Sequence, residues 1–174
     1  MKERALLVAV GLALLLAQAV VQGVLPAAFR PDLVLVYALA LGLRAGSSFG
    51  LVLAFGAGFA VDALSGAPLG LFALLRGTAC VATRLFDGAL YLRAPGPWAI
   101  FVAAYAVADL ALMGVCLHWF APEAALPWAD LVLRAPGTAL ASAIAAAPFL
   151  ALFRRLDSEG GREGGLGLIA SSRP

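Results

Sequence analysis

Long apolar runs broken by short polar clusters set the rhythm of this chain. The first run, Ala5 to Val24, follows Met1-Lys2-Glu3-Arg4 and contains no charge. At 1.5 Å per residue, about 20 residues cross a bilayer core of about 30 Å. Ala17-Gln18-Ala19 resembles a signal-peptide cleavage site. The run continues past it and more apolar runs follow, so it reads as a membrane span. Further runs predict spans at about 32–43, 49–64, 69–86, 97–120 and 135–153. The second is the shortest, bounded by Asp32 and Arg44. Pro31 suits a first helical turn, and Asp32 suits the positive end of the helix dipole. Trp98 and Trp119 at the two ends of span five fit the aromatic belts of a membrane. Pro136 falls in the first turn of span six, and the piece from Trp128 to Arg134 fits a segment lying flat in the interface. The pattern predicts an all-α, polytopic bundle of six transmembrane helices over residues 1–155. The glycine-rich remainder, 156–174, cannot bury a core and reads as a disordered tail.

Composition supports this reading. The chain is 63% hydrophobic and 13% charged, against about 45–50% and about 25% in soluble domains. A net charge of +2 is too small to suggest nucleic acid, but its distribution is informative. With six spans and a cytoplasmic N-terminus, Lys2, Arg4, Arg44, Arg84, Arg93, Arg154 and Arg155 fall on the cytoplasmic side, and only Arg30 and Arg134 fall outside. The positive-inside rule is satisfied, with both termini cytoplasmic. A re-entrant second segment would move Arg44, Arg154 and Arg155 outside and erase the bias. Cys80 and Cys116 lie inside apolar runs at a spacing that matches no metal or redox motif, and read as packing residues.

Candidate chemistry centres on the stretch from Gly42 to Gly77. Gly46, Gly50, Ala54 and Gly58 recur every fourth residue and lead to Asp62. On a helix these share one face, a smooth seam along which another backbone can approach closely. Asp62, Arg76 and Asp109 are ionisable groups inside spans, where an unpaired charge costs at least about 2.5–3.5 kcal/mol. Counting 1.5 Å per residue from the outer surface puts Asp62 at about 3 Å, Arg76 at about 10 Å and Asp109 at about 16 Å. The functional reading is a proton relay or a substrate site, and the structural reading is buried pairing that fixes helix neighbours. Asp62 is shallow enough to meet water or a partner, whereas Asp109 is not, so Arg76–Asp109 is the expected pair.

Catalytic readings find little support. The Tyr-Asp and Gly-x-Gly-Asp motifs of intramembrane aspartyl proteases are absent: Ala108 precedes Asp109, and Gly58 stands four positions before Asp62. The single histidine, His118, sits beside Trp119 at the expected membrane interface, where a lone imidazole reads as a packed or solvated ring rather than the base a serine or cysteine nucleophile needs. No cluster of zinc ligands and no phosphate-binding glycine loop is present. The expectation is a protein with no enzymatic activity and no cofactor.

Several of these features together resemble the rod shape-determining protein MreD family. They are Arg30-Pro31-Asp32 at the start of span two, Arg44 before span three, Gly58-x-x-x-Asp62, then Ser65-Gly66 and Leu69-Gly70. The resemblance covers roughly residues 1–155, although span three is richer in Ala and Gly than the Leu-rich family pattern. It picks out Pro31, Asp32, Gly58, Asp62, Gly66 and Gly70 as motif positions. It implies a non-catalytic bacterial inner-membrane component of the peptidoglycan-synthesising elongation machinery (the elongasome). Such a protein would bind a single-span MreC-like partner and, through it, act with a RodA-type glycosyltransferase, a penicillin-binding transpeptidase and MreB. The resemblance also implies a six-helix arrangement like that of the substrate-binding subunits of energy-coupling-factor transporters, so the alternative is a vitamin-binding subunit. That alternative needs a roomy polar and aromatic cavity, and the Gly/Ala lining of spans three and four favours close packing instead. A lipid-carrier flippase would need a larger charged cavity still.

Overall fold

The structure is a computed structural model and describes residues 2–26, 29–44, 48–65, 68–124 and 127–169. Among these, six α-helices and one short 3-10 turn (Pro122–Ala124) account for the regular structure: α1 Lys2–Val24, α2 Leu33–Gly42, α3 Ser48–Ser65, α4 Leu71–Leu90, α5 Pro95–Phe120 and α6 Trp128–Ile169. Four are long and apolar enough to cross a membrane: α1 from Arg4, α3, α5, and α6 as far as Leu152. The other two differ from full apolar spans for different reasons. α4 has 20 residues but carries Arg76, Arg84 and Asp87. α2 has only 10 residues, about 15 Å of helix or half a bilayer core.

The shortness of α2 explains its place. Its sequence, LVLVYALALG, has no polar face, and such a helix is stable only when covered on all sides. Every residue from Val34 to Gly42 is buried, and α2 touches all five other α-helices. Around it, α3 packs along α4 and α5 packs along α6. Close approach depends on missing side chains. A Cβ at Gly42 would lie 2.6 Å from the Thr83 Cβ, and one at Gly114 would lie 2.7 Å from Leu131 Cδ1. Tyr37 donates its hydroxyl to the Leu7 carbonyl at 2.7 Å, tying α2 to α1. At the C-terminal end of α2, Arg93 Nη2 donates to the Leu43 carbonyl at 3.1 Å, which anchors the turn between α4 and α5.

Three local expectations need correction. Trp98 does not sit in an interfacial belt. It is fully buried, with its indole N–H donating to the Ala146 carbonyl at 3.1 Å; that acceptor makes burial of the ring tolerable. Trp119, by contrast, is 77% exposed. The segment from Trp128 to Arg134 does not lie apart from span six, because it forms the opening turns of α6, with Leu131 buried opposite Gly114. Pro136 is therefore inside the helix, where it withholds one N–H without ending the helix. At the other end, the helical backbone continues beyond Phe153 to Ile169, through most of the segment whose composition suggests a disordered tail.

Candidate functional site

Asp62 and Gly58 act together. One turn apart on α3, both face the N-terminus of α4. A Cβ at Gly58 would meet the Phe72 carbonyl and lie 2.6 Å from the Ala73 Cα, so only glycine lets α4 begin this close. Asp62 uses that proximity. Its Oδ1 accepts from Phe72 N at 2.9 Å, and its Oδ2 accepts from Gly70 N at 3.0 Å and Ala73 N at 3.2 Å. A helix start leaves its first N–H groups without intrahelical partners, and the residue at the N-cap, Gly70, has no side chain to offer. Gly70 also has φ +97°, a conformation that favours glycine. The cap is thus supplied from a neighbouring helix. Asp62 is 1% exposed, so the expectation that water or a partner would satisfy it does not describe the structure.

Arg76, one turn further into α4 and likewise 1% exposed, meets two carboxylates. Its Nη1 donates to Asp109 Oδ1 and Oδ2, both at 3.0 Å, and its Nη2 donates to Asp32 Oδ2 at 2.7 Å. The Phe72 ring lies 5.6 Å from the guanidinium carbon, and Arg76 Nε is buried without a hydrogen-bond partner. Depth along the helices selects Asp109 alone and does not reveal Asp32. Asp32 does serve the start of α2, since its Oδ1 accepts from Leu35 N at 2.8 Å. Its second oxygen reaches across the bundle to Arg76. The missed signal was positional: Asp32 opens α2 at the same end of the bundle as the start of α4, within reach of a long arginine. Two further polar groups complete the junction. Asp32 N donates to Ser142 Oγ at 3.1 Å, and Leu33 N donates to Gln18 Oε1 at 2.8 Å. Gln18 inside the first span was a legible cue, because polar groups buried in a span seek partners on neighbouring helices.

The remaining singled-out residues divide by position. Pro31 precedes the N-cap Asp32 rather than occupying the first turn. Along α3, Gly50, Ala54 and Gly58 are buried. Gly50 turns to α2, where its Cβ would lie 3.4 Å from the Leu41 carbonyl, and Gly58 turns to α4. The stripe therefore serves two neighbours. Gly46 and Gly66 lie outside the described residues. Cys80 is buried, and both Cys80 and Cys116 are free thiols. His118 stands edge-on to Trp119, with ring centroids 6.4 Å apart.

A cavity of about 200 Å³ opens beside the junction, lined by both charged and apolar groups, among them Gln18, Arg30, Asp32, Arg76 and Arg134. The sequence offers no reason to expect it, because its polar lining is gathered from α1, the segment just before α2, the start of α4 and the start of α6, which lie far apart in the chain. Chemically, Asp62, Asp32 and Asp109 are engaged in holding helices. Among the described residues no group of three or more His, Cys, Asp or Glu is placed to hold a metal ion.

A membrane-embedded helical bundle whose buried charges are used to join its own helices belongs to the class of polytopic integral membrane proteins. Comparison with family profiles places it more closely. The profile of rod shape-determining protein MreD matches residues 4–156, and the chain belongs to that family. No curated protein and no solved structure gives a match, so the implied likeness to energy-coupling-factor subunits has no matching structure behind it. Membership gives the chain a role in rod-shape determination, in a structural or regulatory family that forms part of the MreBCD shape system.

Proposed function

We propose that this protein is a non-catalytic scaffold of the cell-elongation machinery in the bacterial inner membrane, with both termini cytoplasmic. Its direct partner in this reading is a single-span, MreC-like membrane protein, through which it acts with a RodA-type glycosyltransferase, a penicillin-binding transpeptidase and MreB. The observation that carries the proposal is the engagement of Asp32, Asp62, Arg76 and Asp109 in helix capping and helix–helix pairing. Groups used in this way hold a surface in shape rather than turn over a substrate.

The cavity also weighs on the side of a scaffold. At about 200 Å³ it is smaller than the roughly 300–1,000 Å³ of small-molecule sites, which disfavours a vitamin-binding subunit. For the partner helix, the shallow apolar groove between α1 and α3 is the face we assign. It is lined by Gly11, Gly56, Ala57 and Ala60 among others, and small residues are what let membrane helices approach one another. The test is affinity purification of the tagged protein from its native membrane in mild detergent, followed by mass spectrometry. A single-span protein with a domain outside the cell membrane is expected to co-purify. Recovery without such a protein, but with a tightly held vitamin, would contradict the proposal.

A further inference from the structure

The cavity beside the Asp32–Arg76–Asp109 junction has a lining of unbalanced charge. Arg30, Arg76 and Arg134 line it against one carboxylate, Asp32. Adding Asp109, which Arg76 contacts from behind, still leaves three guanidinium groups against two carboxylates. The carboxylates are also committed: Asp32 accepts from Leu35 N and Arg76, and Asp109 accepts from Arg76 through both oxygens.

The cations are not committed to the same degree. Arg134 makes no hydrogen bond or ion pair with any described residue, and Arg30 uses only its Nε, on the Leu25 carbonyl at 2.8 Å. Arg76 keeps a buried Nε without a partner. Neutral donors stand among them. Gln18 accepts through its oxygen from Leu33 N, which leaves its amide N–H groups to donate, and Thr138 adds a hydroxyl. Leu110, Met113 and Leu131 supply apolar wall, and a low-dielectric wall strengthens any charge pairing made against it.

We propose that this cavity binds a phosphate-type anion, brought either as the headgroup of an anionic phospholipid or as free phosphate. Guanidinium groups recognise phosphate oxygens through paired N–H donors, and the volume suits a headgroup better than a whole metabolite. All six helices contribute to the lining at one end of the bundle, so an anion there would draw Arg30, before α2, and Arg134, on α6, toward one charge.

The full-length protein tests this in two arms. In neutral detergent, inorganic phosphate is titrated at constant ionic strength against chloride while the thermal unfolding midpoint is followed. In parallel, protein reconstituted in vesicles of phosphatidylglycerol and phosphatidylcholine is re-extracted, and bound lipid is read by native mass spectrometry. Saturable stabilisation by phosphate, weakened about tenfold in Arg134→Gln, assigns the site to the free anion. Selective retention of phosphatidylglycerol, reduced about tenfold in the same variant, assigns it to the headgroup; tenfold corresponds to roughly one charge-assisted hydrogen bond. Arg134 has no partner among the described residues to lose, so its replacement leaves the bundle intact, and Arg30→Gln provides a second, independent variant. Absence of both phosphate stabilisation and selective lipid retention in the wild type overturns the proposal. So does binding that is unchanged in both variants. Neither result touches the partner purification, so the scaffold reading stands or falls separately.

Discussion

Arg76 has two carboxylate partners, and that asymmetry orders the effects of removing each group. Arg76→Leu leaves Asp32 and Asp109 facing each other without a cation, whereas Asp109→Leu leaves the Arg76–Asp32 contact at 2.7 Å in place. Removing one member of a buried pair costs about 3–5 kcal/mol in soluble proteins because it strands a charge. Arg76→Leu is therefore expected to lower the unfolding midpoint in detergent more than Asp109→Leu. The Arg76→Leu/Asp109→Leu double variant should lose less than the sum of the singles, and strict additivity would reject the coupling. Asp62 permits a simpler measurement. A lost helix cap costs about 0.5–2 kcal/mol, and Asp62 accepts three backbone N–H groups, so Asp62→Ala is expected at the upper end of that range. Asp62→Asn, which keeps one acceptor oxygen, should fall between Asp62→Ala and the wild type. Much of this scale was legible: acids and an arginine inside apolar runs announce themselves by their cost. Their partners were less so. Depth along a helix axis can be counted from sequence, but the rotation that turns Asp62 toward backbone and Asp32 toward Arg76 is set by packing.

Among the helices, α3 shows how position on a face decides consequence. Gly58 faces α4, and any side chain there collides with the Phe72–Ala73 backbone, which cannot yield as a side chain can. Gly56, two residues away, points outward, and a Cβ there would meet nothing within 4 Å. Gly58→Leu is therefore expected to disrupt folding, seen as aggregation or loss of a cooperative thermal transition in detergent. Gly56→Leu should unfold within a degree or so of the wild type. Equal behaviour of the two variants would refute the assignment of faces. The every-fourth-residue repeat made the α3 seam readable, but not its division between α2 and α4. The short α2 was visible as an eleven-residue apolar run; that it lies covered on all sides follows from its uniform apolarity. The early start of α6 was hidden by Pro136, which resembles an opening residue in sequence but is carried within the helix.

For the molecule as a whole, four helices are long and apolar enough to cross a membrane, and α2 and α4 complete the bundle between them. If the proposed orientation holds, reporter fusions after Arg44 and after Arg155 both report a cytoplasmic location; an outside signal at Arg155 would overturn it. The class of protein was legible from hydropathy alone, and the family from the combination of Pro31-Asp32, Gly58-x-x-x-Asp62 and Leu69-Gly70. The cavity was not, because it exists only where the ends of six helices meet. In the proposed function, the interior of this bundle holds its shape so that an outward groove can receive a single-span partner. The most direct measurement is co-purification of that partner with the wild type and with Gly56→Leu, at matched expression and with folding verified. The wild type is expected to bring the partner down, and folded Gly56→Leu to lose it by about tenfold or more. Undiminished recovery with folded Gly56→Leu would contradict the assignment of the groove, and absence of any single-span partner from the wild type would contradict the scaffold itself.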